Sequence, residues 1–130
     1  MKLLLDTHAF IWLNTQPSRL SSNVMGLLTS GLHDIYLSIA SPWEMQIKSQ
    51  LGKLSLDVSL AELIDTSVNR NNIGLLNIEF KHIDYLANLP LHHKDPFDRM
   101  IIAQSILEEL TLISEDRIFS SYSMCLLMKI

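Results

Sequence analysis

Along the chain, short runs of consecutive apolar residues alternate with longer stretches in which apolar positions recur every three or four residues. These are the patterns of buried strands and of amphipathic helices. Lys2-Leu3-Leu4-Leu5 reads as a buried strand that stops at the charge of Asp6. Thr7 is placed to cap a short helix through Phe10-Ile11-Trp12-Leu13. Ser21 and Ser22 start a second helix, with Val24, Leu27 and Leu28 on one face and an end near Gly31. Ile35-Tyr36-Leu37 is a short strand. In Ser41-Pro42-Trp43-Glu44, serine at the cap, proline first in the helix and glutamate third form a capping box. That helix is expected to run to about Leu51, where Gly52 stops it. Ser59-Leu60-Ala61-Glu62 repeats the box and opens a helix to about Arg70. Leu75-Leu76-Asn77-Ile78 is a strand, and a short helix over His82–Asn88 ends before Pro90. Asp95-Pro96-Phe97-Asp98 starts the longest helix, which carries Phe97, Ile101, Ile102, Ile106 and Leu110 inward. Leu112-Ile113-Ser114 is a strand ending at Glu115-Asp116, and the tail Ser123–Lys129 is read as a last strand.

Strands that alternate with helices predict an α/β domain with a mainly parallel sheet, in which ligands bind beyond the carboxyl ends of the strands. That rule gives four acids their interest. Asp6 follows the first strand, Glu44 and Asp98 sit in the first turns of helices, and Asp116 follows the fourth strand. Carboxylates brought together repel unless they hold protons or a cation. Oxygen-only donors suit hard cations such as Mg²⁺ or Mn²⁺, and two such ions can activate a water and hold the leaving oxygen of a phosphodiester. Each acid also has a plain explanation. Glu44 completes a capping box, Asp98 complements a helix dipole, Asp6 is a strand-end turn residue, and Asp116 pairs with Arg117.

Composition narrows the class. The chain has 130 residues, 48% hydrophobic and 18% charged, which excludes a disordered chain and fits one domain over residues 1–130. Its one cysteine, Cys125, excludes an internal disulfide or a cysteine zinc cluster. The net charge is −4. A polyanion would therefore have to be met by a local patch or a bound cation. No stretch approaches the roughly eighteen apolar residues of a spanning helix, so a cytoplasmic protein without a membrane partner is expected. Gly26, Gly31, Gly52 and Gly74 are isolated and form no phosphate loop. His8, His92 and His93 lack zinc-site spacing and read as surface or hydrogen-bonded histidines. Trp12 and Trp43 read as core or interface residues rather than base-stacking platforms.

The motifs taken together resemble a family. Leu3-Leu4-Leu5-Asp6-Thr7-His8 with Trp12 is similar to the opening of PIN-domain nucleases. Ser41-Pro42-Trp43-Glu44, with Ile47-Lys48 and Gly52-Lys53-Leu54, resembles their second acidic motif. His93-Lys94-Asp95-Pro96-Phe97-Asp98-Arg99 with Ile102-Ala103-Gln104, then Ser114-Glu115-Asp116, resembles the third and fourth. The order spans nearly the whole chain, and the length fits the VapC-type toxins of toxin–antitoxin pairs.

The resemblance implies a three-layer PIN-like domain and a ribonuclease dependent on Mg²⁺ or Mn²⁺, with one or two ions. Asp6, Glu44, Asp98 and Asp116 match the family's acids and are expected to be catalytic and to hold the metal. Thr7, Asp95 and Ser114 are expected to orient them. Mg²⁺ on Asp6 and Asp98 would polarise the scissile phosphate; a second ion, or Glu44 or Asp116 through water, would position hydroxide. The departure is Ser114-Glu115, where many relatives have Thr-Arg, which adds negative charge beside the site. Lys48, Lys53, Lys94, Arg99 and Arg117 are candidate RNA contacts, with Arg99 foremost because it adjoins Asp98. The implied partners are an antitoxin and a second copy of the chain. The alternative is a catalytically inactive PIN-like module that binds RNA or protein.

Overall fold

The computed structural model describes residues 1–115, 119, 121, 122 and 126–129. Strands β1 (Lys2–Leu5), β2 (Asp34–Ser38), β3 (Ile73–Leu76), β4 (Thr111–Ser114) and β5 (Leu126–Lys129) form one sheet in the order β3-β2-β1-β4-β5. Every pairing in it is parallel. The helices are α1 (Thr7–Thr15), α2 (Ser22–Thr29), α3 (Ala40–Gln50), α4 (Leu60–Asn69), α5 (Phe80–Tyr85) and α6 (Pro96–Leu107). Short 3₁₀ turns occupy Pro17–Arg19 and Leu86–Asn88.

Side chains alternate across the sheet as the two-residue period demands. Leu3, Leu5, Ile35, Leu37 and Ile113 face one side, where Phe10 of α1, Val24 of α2, Met45 of α3 and Leu63 of α4 cover them. Leu4, Tyr36 and Leu112 face the other, against Ile101 and Ile102 of α6, Leu89 and Phe119. Both faces are covered, so the architecture is the expected three-layer α/β domain, and β1 can be apolar at three successive positions. A one-residue slip of β1 would exchange its two faces, so this double burial fixes the register from which the site is built.

Three local expectations change. Asp6, not Thr7, caps α1: its Oδ1 accepts the Ala9 N–H at 2.7 Å, and Thr7 is the first helical residue. Helix α3 begins at Ala40, immediately after β2, with no side-chain cap from Ser41; the Ala40 N–H instead donates to Ser38 Oγ at 3.1 Å. Pro42 is tolerated at the third helical position because an N–H there lacks an intrahelical partner anyway. Strand β3 runs from Ile73 rather than Leu75. Gly74 weakens a strand signal, yet here its missing side chain admits the Tyr36 ring; a Cβ would meet Tyr36 Cδ1 at 3.0 Å. The other caps stand as read, with Ser21, Ser59 and Asp95 accepting from their helices. Among the described residues no helix is long and apolar enough to cross a membrane.

Candidate functional site

Parallel strands end on a common edge, and the pairing of Leu5 with both Leu37 and Ile113 sets Asp6 level with Ser38 and Ser114. Asp6 is buried, 3% exposed. Its N–H donates to the Ile113 carbonyl at 3.1 Å, and its Oδ2 accepts from the Ser114 hydroxyl. Its carboxylate also lies at the N-terminus of α1, where the helix dipole favours negative charge. The start of α1 and the end of β4 therefore each bond this side chain, while the backbone of Asp6 continues the ladder between β1 and β4.

Glu44 is also buried, 4% exposed. Because α3 starts before Ser41, Glu44 lies in the second turn and caps nothing. Instead its Oε1 accepts from the Thr7 hydroxyl at 2.9 Å and its Oε2 meets Lys48 Nζ at 2.6 Å. Thr7 Oγ1 also lies 2.9 Å from Ser41 Oγ. A hydroxyl has one proton, so Ser41 is the donor in that pair once Thr7 donates to Glu44. Thr7 thus links α1, beside Asp6, to Glu44 and Ser41 of α3.

Asp98 sits in the first turn of α6, below a cap in which Asp95 Oδ1 accepts the N–H groups of Phe97 (2.8 Å) and Asp98 (3.1 Å). Its pKa is pushed up from 3.8 to about 7. Burial is the main cause; the charges of Asp95, Glu44 and Asp6 add to it, and His93 opposes it. Asp98 therefore lies within the field of both Asp6 and Glu44. His93 Nε2 is 3.0 Å from Asp98 Oδ2. Asp116 and Arg117 lie outside the described residues.

The basic candidates separate. Lys48 is half-buried against Glu44, while Lys53 and Lys94 are exposed. Arg99 turns away from the acids. Its Nη1 donates to the carbonyls of Pro90 (3.0 Å) and His93 (3.5 Å), and its Nη2 to those of Leu86 (3.1 Å) and Leu89 (3.3 Å). It closes the segment between α5 and α6. Arg99→Ala is expected to lower stability by about 1–3 kcal/mol and Arg99→Lys to restore little of it, because an ammonium cannot span four carbonyls as the planar fork does. Thermal denaturation checks both.

Trp12 is buried in the core with the Arg19 guanidinium 4.0 Å above its ring, whereas Trp43 is 60% exposed. Trp43 packs edge-on against Phe97, centroids 4.9 Å apart, beside an apolar pocket of about 300 Å³.

Two features were not singled out from sequence. One is the contact of His93 with Asp98; the histidine was legible only as one of three. The other is Glu79, His82 and Glu108, a group of three potential ligands whose donor atoms lie within 4.8 Å of one another. No other three His, Cys, Asp or Glu among the described residues close to that spacing, so Asp6, Glu44 and Asp98 stand further apart. The Glu79 group lies near the far end of α6, ~15 Å along its axis from Asp98. It is held by its own bonds. His82 Nδ1 accepts the Glu79 N–H at 2.9 Å, so the neutral ring carries its proton on Nε2, which faces Glu108 at 3.3 Å. Lys81 pairs with Glu108 at 2.8 Å and is the main cause of that carboxyl's lowered pKa.

The sequence matches the PIN domain family over residues 3–123. No curated protein matches it. Among solved structures, a chain of VapBC2 from Rickettsia felis bound to a DNA fragment from their promoter is 18% identical. It superposes with a TM-score of 0.76 over 99% of this chain and 98% of that one. A toxin-antitoxin complex from Klebsiella pneumoniae gives 17% identity and a TM-score of 0.62 over 97% and 95%. VapBC-5 from Mycobacterium tuberculosis gives 16% and 0.57 over 99% and 97%. At these identities the likeness is one of fold.

Proposed function

Because the chain belongs to the PIN domain family, we propose that it is a metal-dependent endoribonuclease, the toxin of a toxin–antitoxin pair. The observation that carries this reading is the position of Asp98, whose carboxyl is pushed to about 7 by burial and by the charges of Asp95, Glu44 and Asp6 at one edge of a parallel sheet. Buried negative charge gathered at a strand edge destabilises the fold unless something compensates it.

The donor set fits a hard divalent cation. Asp6, Glu44 and Asp98 offer only oxygens, and a carboxylate has about four acceptor positions, so the bonds from Ala9 and Ser114 do not exhaust Asp6. Asp6 and Asp98 would hold Mg²⁺ or Mn²⁺, in one or two ions, with Glu44 and Asp116 completing the site. When bound, such an ion polarises a phosphodiester and makes a water nucleophilic at neutral pH. Thr7 and Ser114 orient Glu44 and Asp6 through their hydroxyls. Without a cation the Asp98 carboxyl holds a proton for part of the time near pH 7, and an ion bound there would favour the carboxylate. Exposed Lys94, beside Asp95, would meet phosphates, and Lys48 would do so from its ion pair with Glu44. Arg99 is engaged with carbonyls and leaves that task to them and to Arg117.

The toxin part of the reading is supported by the neighbours in structure, which come from toxin–antitoxin complexes. An antitoxin would cover the acids, and a homodimer is the expected state of the toxin.

Total cellular RNA tests the activity. The purified chain, freed of any partner, should give discrete fragments with Mn²⁺ or Mg²⁺ and none with EDTA. A folded protein that binds Mn²⁺ yet cuts none of the RNA offered would overturn the assignment in favour of a binding module.

A further inference from the structure

His93 lies on the segment between α5 and α6, and that segment is clamped at every turn. Arg99 donates to the carbonyls of Leu86, Leu89, Pro90 and His93. The His93 N–H donates to Tyr122 Oη at 2.8 Å, and the Tyr122 hydroxyl in turn donates to the Pro90 carbonyl at 2.8 Å. The imidazole lies against Phe119, ring centroids 5.7 Å apart, and its side chain is only 12% exposed. A loop that served only to connect two helices would not need its one inward histidine fixed from so many sides.

The ring's two nitrogens have different partners. Nδ1 accepts the Asp95 N–H at 3.1 Å. An acceptor nitrogen carries no proton, so the neutral ring is protonated on Nε2. That N–H points at Asp98 Oδ2, 3.0 Å away. The same main-chain group thus sets the tautomer and supplies the reason for it. Asp95 caps α6 with its side chain and orients His93 with its N–H.

We propose that His93 is a positioning residue for the acid site: by donating from Nε2 to Asp98 Oδ2 it fixes the rotamer of that carboxylate and leaves Oδ1 to take a divalent cation. The inference rests on the metal-site reading of the acids. It adds a task to a residue that the acidic motifs leave unassigned, and it gives Arg99 an indirect one, since Arg99 builds the loop that delivers the ring.

The two bonds of the imidazole can be separated. In His93→Gln the side-chain amide reaches the place of Nε2 and keeps the donor to Asp98. In His93→Asn the amide oxygen takes the place of Nδ1 and keeps the acceptor for Asp95, but no donor reaches Asp98. Mn²⁺ binding is measured without RNA, by the electron paramagnetic resonance of free Mn²⁺, on wild type, both variants and Asp98→Asn, with circular dichroism to establish folding. The expected result is a 10–100-fold weaker affinity for His93→Asn and at most about threefold loss for His93→Gln. A purely structural role predicts the reverse order, with Asn tolerated and Gln not, and that result overturns the proposal. Equal affinity in wild type and His93→Asn also overturns it while leaving the acid site intact. If Asp98→Asn binds Mn²⁺ as tightly as wild type, the acid-site reading itself fails and the proposal falls with it.

Discussion

Asp6→Asn and Asp98→Asn are each expected to lower metal-dependent RNA cleavage by ~10³-fold or more, a loss of about 4 kcal/mol of transition-state stabilisation. The fold should be unchanged in both. At position 6, asparagine remains a good N-cap, so its oxygen can accept the Ala9 N–H while its amide donates to the Ser114 hydroxyl. At position 98, asparagine can still accept from His93 Nε2. Each variant therefore removes one negative charge and little else, and a rate loss reports on that charge. Single-turnover cleavage of an RNA identified from the total-RNA digest, with circular dichroism beside it, is the measurement. If both variants are folded and cut at the wild-type rate, the acids are structural caps and the chemistry lies elsewhere.

The sheet was legible in the sequence because its strands are buried on both faces. Leu3-Leu4-Leu5 has no polar partner in its alternation, and only a strand covered on both sides accommodates that. Asp95-Pro96 was equally legible, since a cap followed by proline has one good use. The start of α3 was not. Ser41-Pro42-Trp43-Glu44 satisfies a capping box as a local pattern, but β2 runs so directly into the helix that Ser41 is already its second residue rather than its cap. This changes the meaning of the site as well as the boundary. As a capping residue Glu44 would need no further explanation, whereas a buried Glu44 in the second turn, tied to Thr7 and Lys48, does. Arg99 and His93 were opaque for a related reason. Adjacency to Asp98 in sequence says nothing of direction on a helix, where successive residues point about 100° apart. The guanidinium therefore faces the carbonyls of the preceding loop, and the residue that touches Asp98 comes from five positions upstream.

The stability of the cation-free protein should report the same convergence. The Asp98 carboxyl has its pKa raised from 3.8 to about 7, by burial first and then by Asp95, Glu44 and Asp6. Between those values the folded state binds more protons than the unfolded state, so this group's contribution to stability is full below about pH 4 and is lost as the pH rises through 7. Asparagine at 98 imitates the protonated acid at every pH. The melting temperature of Asp98→Asn should therefore match wild type near pH 4, and its excess over wild type should widen from pH 5 to pH 8. With Asp98 about a fifth exposed and its charge partly screened, the difference is expected to be about 2 kcal/mol, or roughly 5–10 °C. Adding Mn²⁺ at pH 8 should narrow the gap by raising the wild type alone, because only the carboxylate gains from an ion bound to the folded state. Matched thermal melts from pH 5 to pH 8 in EDTA measure it. A gap that stays flat across that range would mean that neither burial nor the charges of Asp95, Glu44 and Asp6 raise the Asp98 carboxyl, and the proposed activity would lose the observation that carries it.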